Sequence, residues 1–193
     1  RSVLASTYDN WEMIIVGDHC TDNTQQVVES FSDSRLHFFN LPSNSGQQAT
    51  PNNFGVARAS GDYVCFLNQD DMFLPGHLEK MLSLMQDPSI DLVLARYAVI
   101  EPFDPGQNPL VYEVSNGGPA LDEVRYLPNR FHVASSWFMR RKVAKEYGEW
   151  RTEDRTSVPP SQDWLFRAWR LGCHVFCNDE VTLVALLSGS RNK

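Results

Sequence analysis

Short apolar runs alternate with amphipathic segments along this chain, a pattern typical of βαβ units in a parallel sheet. The run MIIV is too short for a helix and rich in β-branched residues, so it predicts a buried strand. Similar runs predict strands at Glu12–Gly17, Leu36–Leu41, Tyr63–Leu67, Ile90–Ile100, His132–Arg140 and His174–Asp179. The pattern therefore predicts an α/β fold with a mostly parallel central sheet and helices on both faces.

Segments with helical spacing lie between these runs. Thr21 or Asp22 can cap the first helix, and Pro51 at a first helical position starts a short helix that ends at Ala59. After Pro75, apolar residues recur at the i, i+3, i+4, i+7 spacing of an amphipathic helix. Each of these helices connects two predicted strands.

The last predicted helix follows two prolines, Pro159 and Pro160, and ends at Gly172 as a C-cap. A short helix over Lys142–Tyr147 precedes it. The residues of the last helix expected to face inward are Trp164, Leu165, Ala168, Trp169 and Leu171.

Two parts of the chain depart from this regular alternation. Residues 102–128 are rich in Gly, Pro and Asn without a clear period, so we predict an irregular excursion with room for a short hairpin. At the start of the chain, Val3 and Leu4 resemble the end of a helix. We therefore expect an earlier strand, the first of the fold, and most of that helix to be missing before Arg1.

Composition and charge narrow the function classes. The 193 residues are 42% apolar and 21% charged, which is typical of one globular domain. A net charge of −7 argues against a nucleic-acid partner, because binding to phosphate backbones needs clustered Lys and Arg. No apolar run approaches the roughly 20 residues that span a bilayer. These features predict a cytoplasmic protein, peripheral to a membrane at most.

The four cysteines do not resemble a disulfide framework. Cys173 and Cys177 flank His174, which leaves a zinc site open as an alternative. Buried free thiols are the favoured interpretation, because Cys20 and Cys65 have no such neighbours.

Candidate chemistry lies where predicted strands end in acidic residues. Asp18 follows one strand, and Asp70 and Asp71 follow another. Parallel strands deliver their carboxyl ends to one edge of a sheet, so these carboxylates are expected to converge there. A divalent ion such as Mg²⁺ or Mn²⁺ would relieve their repulsion.

A structural interpretation is open for each of these acidic residues. Asp70 and Asp71 can favour the N-terminus of the helix after Pro75 through its dipole. Asp163 lies in the first turn of the last helix, where an acidic residue is also stabilising.

Three segments together favour a functional interpretation of these acids over a structural one: EMIIVGDHCTDNT, SGDYVCFLNQDDMFLPGHL and SQDWLFRAWRLG. In this order and between these elements, they resemble the family-2 glycosyltransferases of GT-A fold, a Rossmann-like arrangement. The resemblance extends over nearly the whole chain, to about Leu187. It implies a single catalytic domain that moves a sugar from a nucleotide-sugar donor, most often a UDP-sugar, to an acceptor hydroxyl with inversion.

The resemblance also implies roles on the donor side. Asp18 would accept a hydrogen bond from the nucleotide base, and Gly46 and Asn53 would lie near the donor. The family's D-x-D metal motif falls on residues 68–70, so Asp70 would bind a Mn²⁺ or Mg²⁺ ion that bridges the donor diphosphate. Asp71 would lie beside it, holding the loop or meeting the sugar.

On the acceptor side, the resemblance implies that Asp163 is the general base that deprotonates the acceptor hydroxyl. Gln162 and Trp164 would shape the acceptor pocket, with Trp164 as the best candidate to stack on a sugar ring. His132, in the segment HVASS, would border the same pocket. The acceptor is expected to be a glycan or a lipid-linked sugar, selected by residues 102–128.

The sequence also departs from the family pattern. Asn68 replaces the first acid of the metal motif, Gly17 stands where a second Asp is frequent, and no His follows Leu187. These departures leave open a noncatalytic module that binds nucleotide-sugar or glycan. A nucleotidyltransferase is disfavoured, because no Gly-rich loop with a basic residue is present for a triphosphate. The oligomeric state has no signature in the sequence.

Overall fold

The computed structural model describes residues 1–100, 111–115, 126, 128 and 130–186, with only the backbone for 111–115. The described chain forms two compact units. The small-sheet unit contains Asn10–Val64 and Arg140–Leu171. The large-sheet unit contains the described residues of Arg1–Asp9, Cys65–Met139 and Gly172–Lys193.

The small-sheet unit begins with a βαβ element, as predicted. Strand β1 (Met13–Gly17) pairs in parallel with β2 (Leu36–Asn40), with Met13 opposite Leu36 and Gly17 opposite Asn40. Helix α1 (Thr24–Glu29) connects them, and Asp22 Oδ1 accepts a hydrogen bond from Thr24 N (3.0 Å). Asp22 therefore orders the start of the helix, although the helix begins later than predicted.

Helix α2 (Ala49–Arg58) packs closely against β1. A Cβ added at Gly55 would lie 3.7 Å from Val16 Cγ2, which is ordinary van der Waals contact. Within the same helix, Arg58 stacks over Phe54 at 3.4 Å from the ring centre. The approach of Gly55 to Val16 lets α2 lie beside the strand whose end carries Asp18.

The second half of this unit contains α4 (Arg141–Glu146), a 3-10 turn (Glu153–Arg155) and α5 (Pro160–Arg170). Helix α5 buries Trp164, Leu165 and Ala168, as predicted. Trp169 and Leu171 are exposed, so their predicted inward orientation is wrong. Trp169 lies about 140° around the helix from Trp164. Leu171 follows the last helical residue.

In the large-sheet unit, the described strands form one sheet around a long central pair. Among the described residues its order is β3-β7-β5-β8-β4, with β6 on β5. The strands are β3 (Tyr63–Cys65), β4 (Met72–Phe73), β5 (Leu92–Ile100), β6 (Val111–Ser115), β7 (Trp137–Arg140) and β8 (Val175–Leu186).

The strand directions in this sheet are mixed. Strands β5 and β8 are parallel, whereas β6 and β7 are antiparallel to β5, and β4 is antiparallel to β8. The prediction of a mostly parallel sheet is therefore wrong for these strands, although the α/β class is correct. A parallel sheet requires crossovers between its strands, and β6 and β7 instead return along β5.

The core of the large-sheet unit lies on β5. Leu92, Val93, Leu94 and Ala95 are fully buried in succession, as expected for a central strand covered on both faces. Helix α3 (His77–Leu84) adds Leu78 and Met81 to this core. The predicted apolar spacing after Pro75 is thus confirmed.

The predicted excursion contains a strand. Within 102–128, β6 pairs antiparallel with β5, whereas the expected hairpin was confined to residues 102–128. The other positions of this segment lie outside the described residues, apart from Tyr126 and Pro128. The predicted strand over His132–Arg140 is shorter, because a 3-10 turn (Ala134–Ser136) precedes β7.

Two further expectations concern membranes and cysteines. Within the described part of the chain, no helix has the length and apolar character needed to cross a bilayer. Cys20, Cys65, Cys173 and Cys177 are free thiols, and burial raises the pKa of both Cys65 and Cys177 to about 12. These two side chains therefore behave as apolar groups, as the sequence indicated.

A buried histidine in α3 gives the large-sheet unit a pH dependence. Burial lowers the pKa of His77 to about 4 from an ordinary 6.5, and the ring stacks on Phe73. Between pH 4 and pH 6.5 the unfolded chain binds more protons than the folded chain. The free energy of unfolding therefore falls as the pH falls. Because of His77, we expect the free energy of unfolding to fall by about 3 kcal/mol when the pH is lowered from 7 to 4.

Urea denaturation at several pH values checks this expectation. His77→Gln should flatten the pH dependence between pH 6.5 and pH 4, even where it lowers stability at pH 7. His174→Gln is the matched control, because His174 is exposed in the same unit. Equal pH dependence in His77→Gln and the unchanged protein would contradict the assignment.

Candidate functional site

Asp18 lies at the end of β1 in the small-sheet unit and holds the loop after β2. Its Oδ1 accepts a hydrogen bond from Ser45 N (2.8 Å), and its Oδ2 accepts from Ser45 Oγ (3.0 Å) and Gly46 N (2.9 Å). Gly46 has φ +67°, a left-handed conformation that favours glycine. The structure therefore brings together Asp18 and Gly46, two residues predicted for the nucleotide site.

The chemistry of Asp18 is limited by these partners. An ionised carboxylate has about four acceptor positions, and the contacts with Ser45 and Gly46 use three of them. One acceptor position is enough for a single N–H of a nucleotide base. Asp18 is thus both a structural anchor for the loop and a candidate base-binding residue.

The surroundings of Gly17 explain one departure from the family pattern, namely that no second Asp precedes Asp18. A Cβ at this position would lie 2.8 Å from Cys20 Sγ and 2.9 Å from Asn40 Oδ1. Asn40 is fixed there because Cys20 N donates to its Oδ1 (2.8 Å) and its Nδ2 donates to Cys20 O (2.8 Å). A second carboxylate before Asp18 would therefore displace this bonded pair.

Asn53 lies on α2, and its amide bonds to the backbone of another segment. Its Nδ2 donates to Trp150 O (2.9 Å), and its Oδ1 accepts from Trp150 N (2.9 Å). These two bonds fix the side chain on the chain between α4 and α5. Each polar atom of the amide keeps one further hydrogen-bonding position, so the expected place of Asn53 near the donor stays a prediction.

Asp163 lies in the first turn of α5, where it is flanked by arginines. Its Oδ2 accepts a hydrogen bond from Arg167 Nε (2.9 Å), and Arg151 Nη1 lies 3.4 Å from its Oδ1. The side chain of Asp163 is 14% exposed. A carboxylate in this position is ordered and accessible from one side, which suits a group that accepts a proton from a bound hydroxyl.

Trp164 and Gln162, the two neighbours of Asp163, differ in burial, and the acceptor-side role of Gln162 stays a prediction. Trp164 is 1% exposed, and its indole Nε1 donates to Gly148 O (2.7 Å). It cannot stack on a sugar ring in this conformation, so that prediction is corrected to a structural role. Gln162 is half-buried beside Asp163, and its Nε2 donates to Ser161 Oγ (3.1 Å).

The second group of candidates lies in the large-sheet unit, on the loop after β3. Asp71 Oδ2 accepts hydrogen bonds from Ser135 Oγ (2.5 Å) and Asn68 Nδ2 (2.9 Å). Its Oδ1 accepts from Leu186 N (3.3 Å), and Asn68 N donates to Ser135 Oγ (2.8 Å). The structure thus joins Asn68 and Asp71 to β8 and to the turn before β7.

Asp71 is buried and its neighbour Asp70 is half-buried. Burial raises the pKa of Asp71, and the adjacent negative charge of Asp70 raises it further, whereas Ser135 and Asn68 act in the opposite direction. The net shift is upward. A cation beside Asp70 would relieve this repulsion, which is the electrostatic condition for a metal-binding loop.

The residues of this loop fit a divalent ion shared with a substrate. Asn68 donates its amide N–H to Asp71, so its carbonyl oxygen is the atom with which it could bind a cation. Asp70 supplies one carboxylate. Among the described residues, no group of three His, Cys, Asp or Glu side chains could hold a metal without other ligands. Phosphate oxygens or water molecules would complete such a site.

His132 lies in the interior of the large-sheet unit. It is buried, and its ring lies against Tyr126 with 5.5 Å between ring centres. The ring packs in this conformation, and its place at the acceptor site stays a prediction. Within the same segment, Ser135 is the functional candidate that the sequence did not reveal, because its bond to Asp71 joins positions far apart in the chain.

The structure thus groups the predicted residues within each unit. Asp18 with Gly46, and Asp163 with Gln162, lie in the small-sheet unit, whereas Asn68, Asp70 and Asp71 lie in the large-sheet unit. Besides Ser135, three partners in the small-sheet unit were missed: Ser45, Arg151 and Arg167. None of them follows a strand end or belongs to a recognisable motif, so only tertiary contacts identify them.

The sequence of this chain is similar to a protein-family model and to individual known proteins. Residues 1–148 match the sequence model described as Glycosyl transferase family 2. The chain is 35% identical over 99 residues to UDP-Glc:alpha-D-GlcNAc-diphosphoundecaprenol beta-1,3-glucosyltransferase WfgD of Escherichia coli, across 51% of this chain and 39% of that protein.

A longer match extends over most of the chain. It is 28% identical over 179 residues to the uncharacterized glycosyltransferase alr2836 of a Nostoc species, across 92% of this chain and 53% of that protein. The chain therefore spans about half the length, or less, of these relatives.

Solved structures share the fold. S. aureus TarS 1-349 in complex with UDP superposes with a TM-score of 0.71 at 20% identity, covering 97% of this chain and 56% of that chain. At this identity the likeness shows the fold alone, which is the mixed α/β arrangement of the GT-A type.

The contacts of the loop after β3 separate the roles of its two acids. Asp71→Ala should lower the free energy of unfolding by roughly 1–3 kcal/mol, because it leaves the donors of Ser135 and Asn68 without their acceptor. Asp70→Ala, the matched control, should change it by about 0.5 kcal/mol or less. Urea denaturation without metal or nucleotide measures both, and similar losses for the two variants would contradict this division.

Proposed function

The chain belongs to glycosyl transferase family 2, and we propose that the protein transfers a sugar from a nucleotide-sugar donor to an acceptor hydroxyl. The observation that carries this proposal is the pair of acids after β3. Asp71 is locked into the loop by Ser135, Asn68 and Leu186, and the adjacent Asp70 is half-buried. Such a pair suits a loop that faces a phosphate-bound cation.

The proposed donor is a UDP-sugar. In support, the name of the relative WfgD includes UDP-Glc, and TarS has been solved with UDP. In this chain, Asp18 would receive one N–H of the base while it holds Ser45 and Gly46. The loop that carries Asp70 is the proposed contact for the donor phosphates.

The proposed acceptor is a lipid-linked sugar or a glycan. The name of WfgD includes a diphosphoundecaprenol acceptor, which favours a lipid-linked substrate. We place the reaction at the cytoplasmic side of a membrane, with the protein peripheral to it. The residues that select the acceptor are proposed to lie in 102–128.

The donor diphosphate must leave with its negative charge stabilised. Asp70, with the carbonyl oxygen of Asn68, would hold a Mn²⁺ or Mg²⁺ ion against that diphosphate. When bound, such an ion supplies Lewis-acid stabilisation of the leaving group. Asp71 keeps the loop in place through Ser135, so Asp70 does not have to reorganise.

Asp163 is the proposed general base. A hydroxyl is a poor nucleophile at neutral pH, and a carboxylate within hydrogen-bond reach contributes roughly 10²–10⁴-fold by taking its proton. The acceptor oxygen would form the new glycosidic bond as the bond to the diphosphate breaks. One base and one stabilised leaving group suffice for a single displacement, so we propose inversion at the anomeric carbon.

Asn68 favours one alternative function. A neutral residue in the first position of the metal motif binds a cation less strongly than a carboxylate would. A noncatalytic module of the same fold could therefore bind a nucleotide-sugar without reaction. Turnover separates the two functions, because both bind UDP.

The first test is turnover by the intact protein with Mn²⁺ and a panel of nucleotide-sugars. We expect release of the nucleoside diphosphate and labelling of a glycan or lipid-linked acceptor, with UDP-sugars as the best donors. The signal should disappear when the metal is removed by a chelator and return when Mn²⁺ is restored. Binding of UDP without any turnover would reject the enzyme in favour of the noncatalytic module.

Two substitutions then separate the proposed base from the proposed metal ligand. Asp163→Asn should lower transfer by about 10²-fold or more and leave UDP binding unchanged, because the base does not contact the donor. Asp70→Ala should weaken Mn²⁺-dependent UDP binding measured by calorimetry. Transfer by Asp163→Asn at the rate of the unchanged protein would remove the base assignment.

A further inference from the structure

The two arginines beside Asp163 differ in how firmly they are held. Arg167 Nε donates to Asp163 Oδ2 at 2.9 Å, and its side chain is 19% exposed. Arg151 Nη1 lies 3.4 Å from Asp163 Oδ1, and its side chain is 49% exposed. The first contact has the geometry of a charge-assisted hydrogen bond, whereas the second lies at the limit of one.

The guanidinium of Arg167 is fixed by further bonds. Its Nη1 donates to Tyr147 O (2.9 Å) and its Nη2 donates to Glu149 O (2.8 Å). Its Nε is therefore directed to Asp163 while the other two nitrogens are bound to the chain after α4. Arg167 cannot move from Asp163 without losing the bonds to both carbonyls.

The carbonyls that hold Arg167 are themselves anchored. Between them, Gly148 O accepts from Trp164 Nε1, and the next residue, Trp150, is bound through both backbone groups to Asn53. Residues 147–150 thus form hydrogen bonds with side chains of both α2 and α5. This arrangement gives Arg167, and through it Asp163 Oδ2, a fixed position.

Arg151 has a different environment. It follows the anchored segment, and its contact with Asp163 is that of a half-exposed ion pair, which is worth about 0–1 kcal/mol. Its removal from Oδ1 therefore costs little. Oδ1 is the oxygen of Asp163 that an entering hydroxyl can reach by displacing a weak partner.

We infer that the two oxygens of Asp163 have separate tasks: Arg167 positions the carboxylate through Oδ2, and Arg151 covers Oδ1 until an acceptor hydroxyl replaces it. This inference rests on the proposed function of Asp163 as general base. Oδ1 takes the proton of the hydroxyl as the oxygen attacks the anomeric carbon, and Arg167 remains bound throughout. Arg167 is a positioning residue, since it touches Asp163 and not the substrate.

Donor hydrolysis tests this division, with water as the acceptor and Mn²⁺ present. The donor is whichever of UDP-Glc and UDP-GlcNAc the unchanged protein hydrolyses faster. Arg167→Gln should lower kcat by roughly 10- to 100-fold with KM for the donor unchanged, because the base is misplaced. Arg167→Lys should recover part of the loss, because it restores the positive charge without the planar guanidinium group.

Arg151→Gln should act in the opposite direction and raise kcat, because water reaches Oδ1 without displacing a cation. Arg170→Gln is the matched control, since Arg170 is an exposed residue of the same helix that stacks over Phe166, at 5.8 Å. A loss of kcat in Arg151→Gln equal to that in Arg167→Gln would overturn the separate roles. So would an unchanged kcat in either variant.

A stability cycle tests the same inference without activity. Combined with Asp163→Asn, Arg167→Gln should shift the urea midpoint by clearly less than the sum of the single shifts, because the two residues share one contact. Arg151→Gln combined with Asp163→Asn should be additive. Additivity for Arg167, or strong coupling for Arg151, would overturn the inference. Absence of both hydrolysis and acceptor labelling in the unchanged protein would instead reject the proposed function, and this cycle would then decide whether Arg167 alone is coupled to Asp163.

Discussion

The constraint on which this structure depends is that a carboxylate withdrawn from water must be hydrogen-bonded. Asp18 meets it with donors from Ser45 and Gly46, and Asp71 meets it with donors that include Ser135. In both cases the donors come from a distant loop or turn. Each acid thereby fixes the course of a loop that follows a strand. The candidate residues Asp70 and Gly46 lie on loops that are ordered in this way.

This constraint explains why adjacent acids at the end of β3 are compatible with a stable loop. Burial and the charge of Asp70 both raise the pKa of Asp71, but the bonds from Ser135 and Asn68 partly offset that cost. Asp71 is therefore used for structure. Asp70, which is half-buried, keeps the exposure that a ligand of a substrate-bound cation needs. The two adjacent acids therefore differ in their surroundings: Asp71 is buried among named donors, whereas Asp70 is half-buried.

Local pattern predicted the elements of this fold and the positions of its acids, because each depends on residues close in sequence. The apolar run at the centre of β5 and the spacing of α3 are examples. The strand directions around β5 could not be predicted in the same way, since pairing is decided between segments far apart in the chain. Ser135 and Arg167 were missed for the same reason: a serine in a turn and an arginine in a helix have no signature until their partners are known.

Trp164 illustrates how the same physical rule changes an assignment. An aromatic residue beside a candidate base suggests a platform for a sugar ring, but a buried indole N–H needs an acceptor. Here that acceptor is Gly148 O, between the two carbonyls that hold Arg167. Since Gly148 has φ +77°, the segment turns in a way that presents these carbonyls to α5. Trp164 therefore contributes to the site by fixing the acceptors of Arg167, and α5 binds the segment with the same residues that orient Asp163.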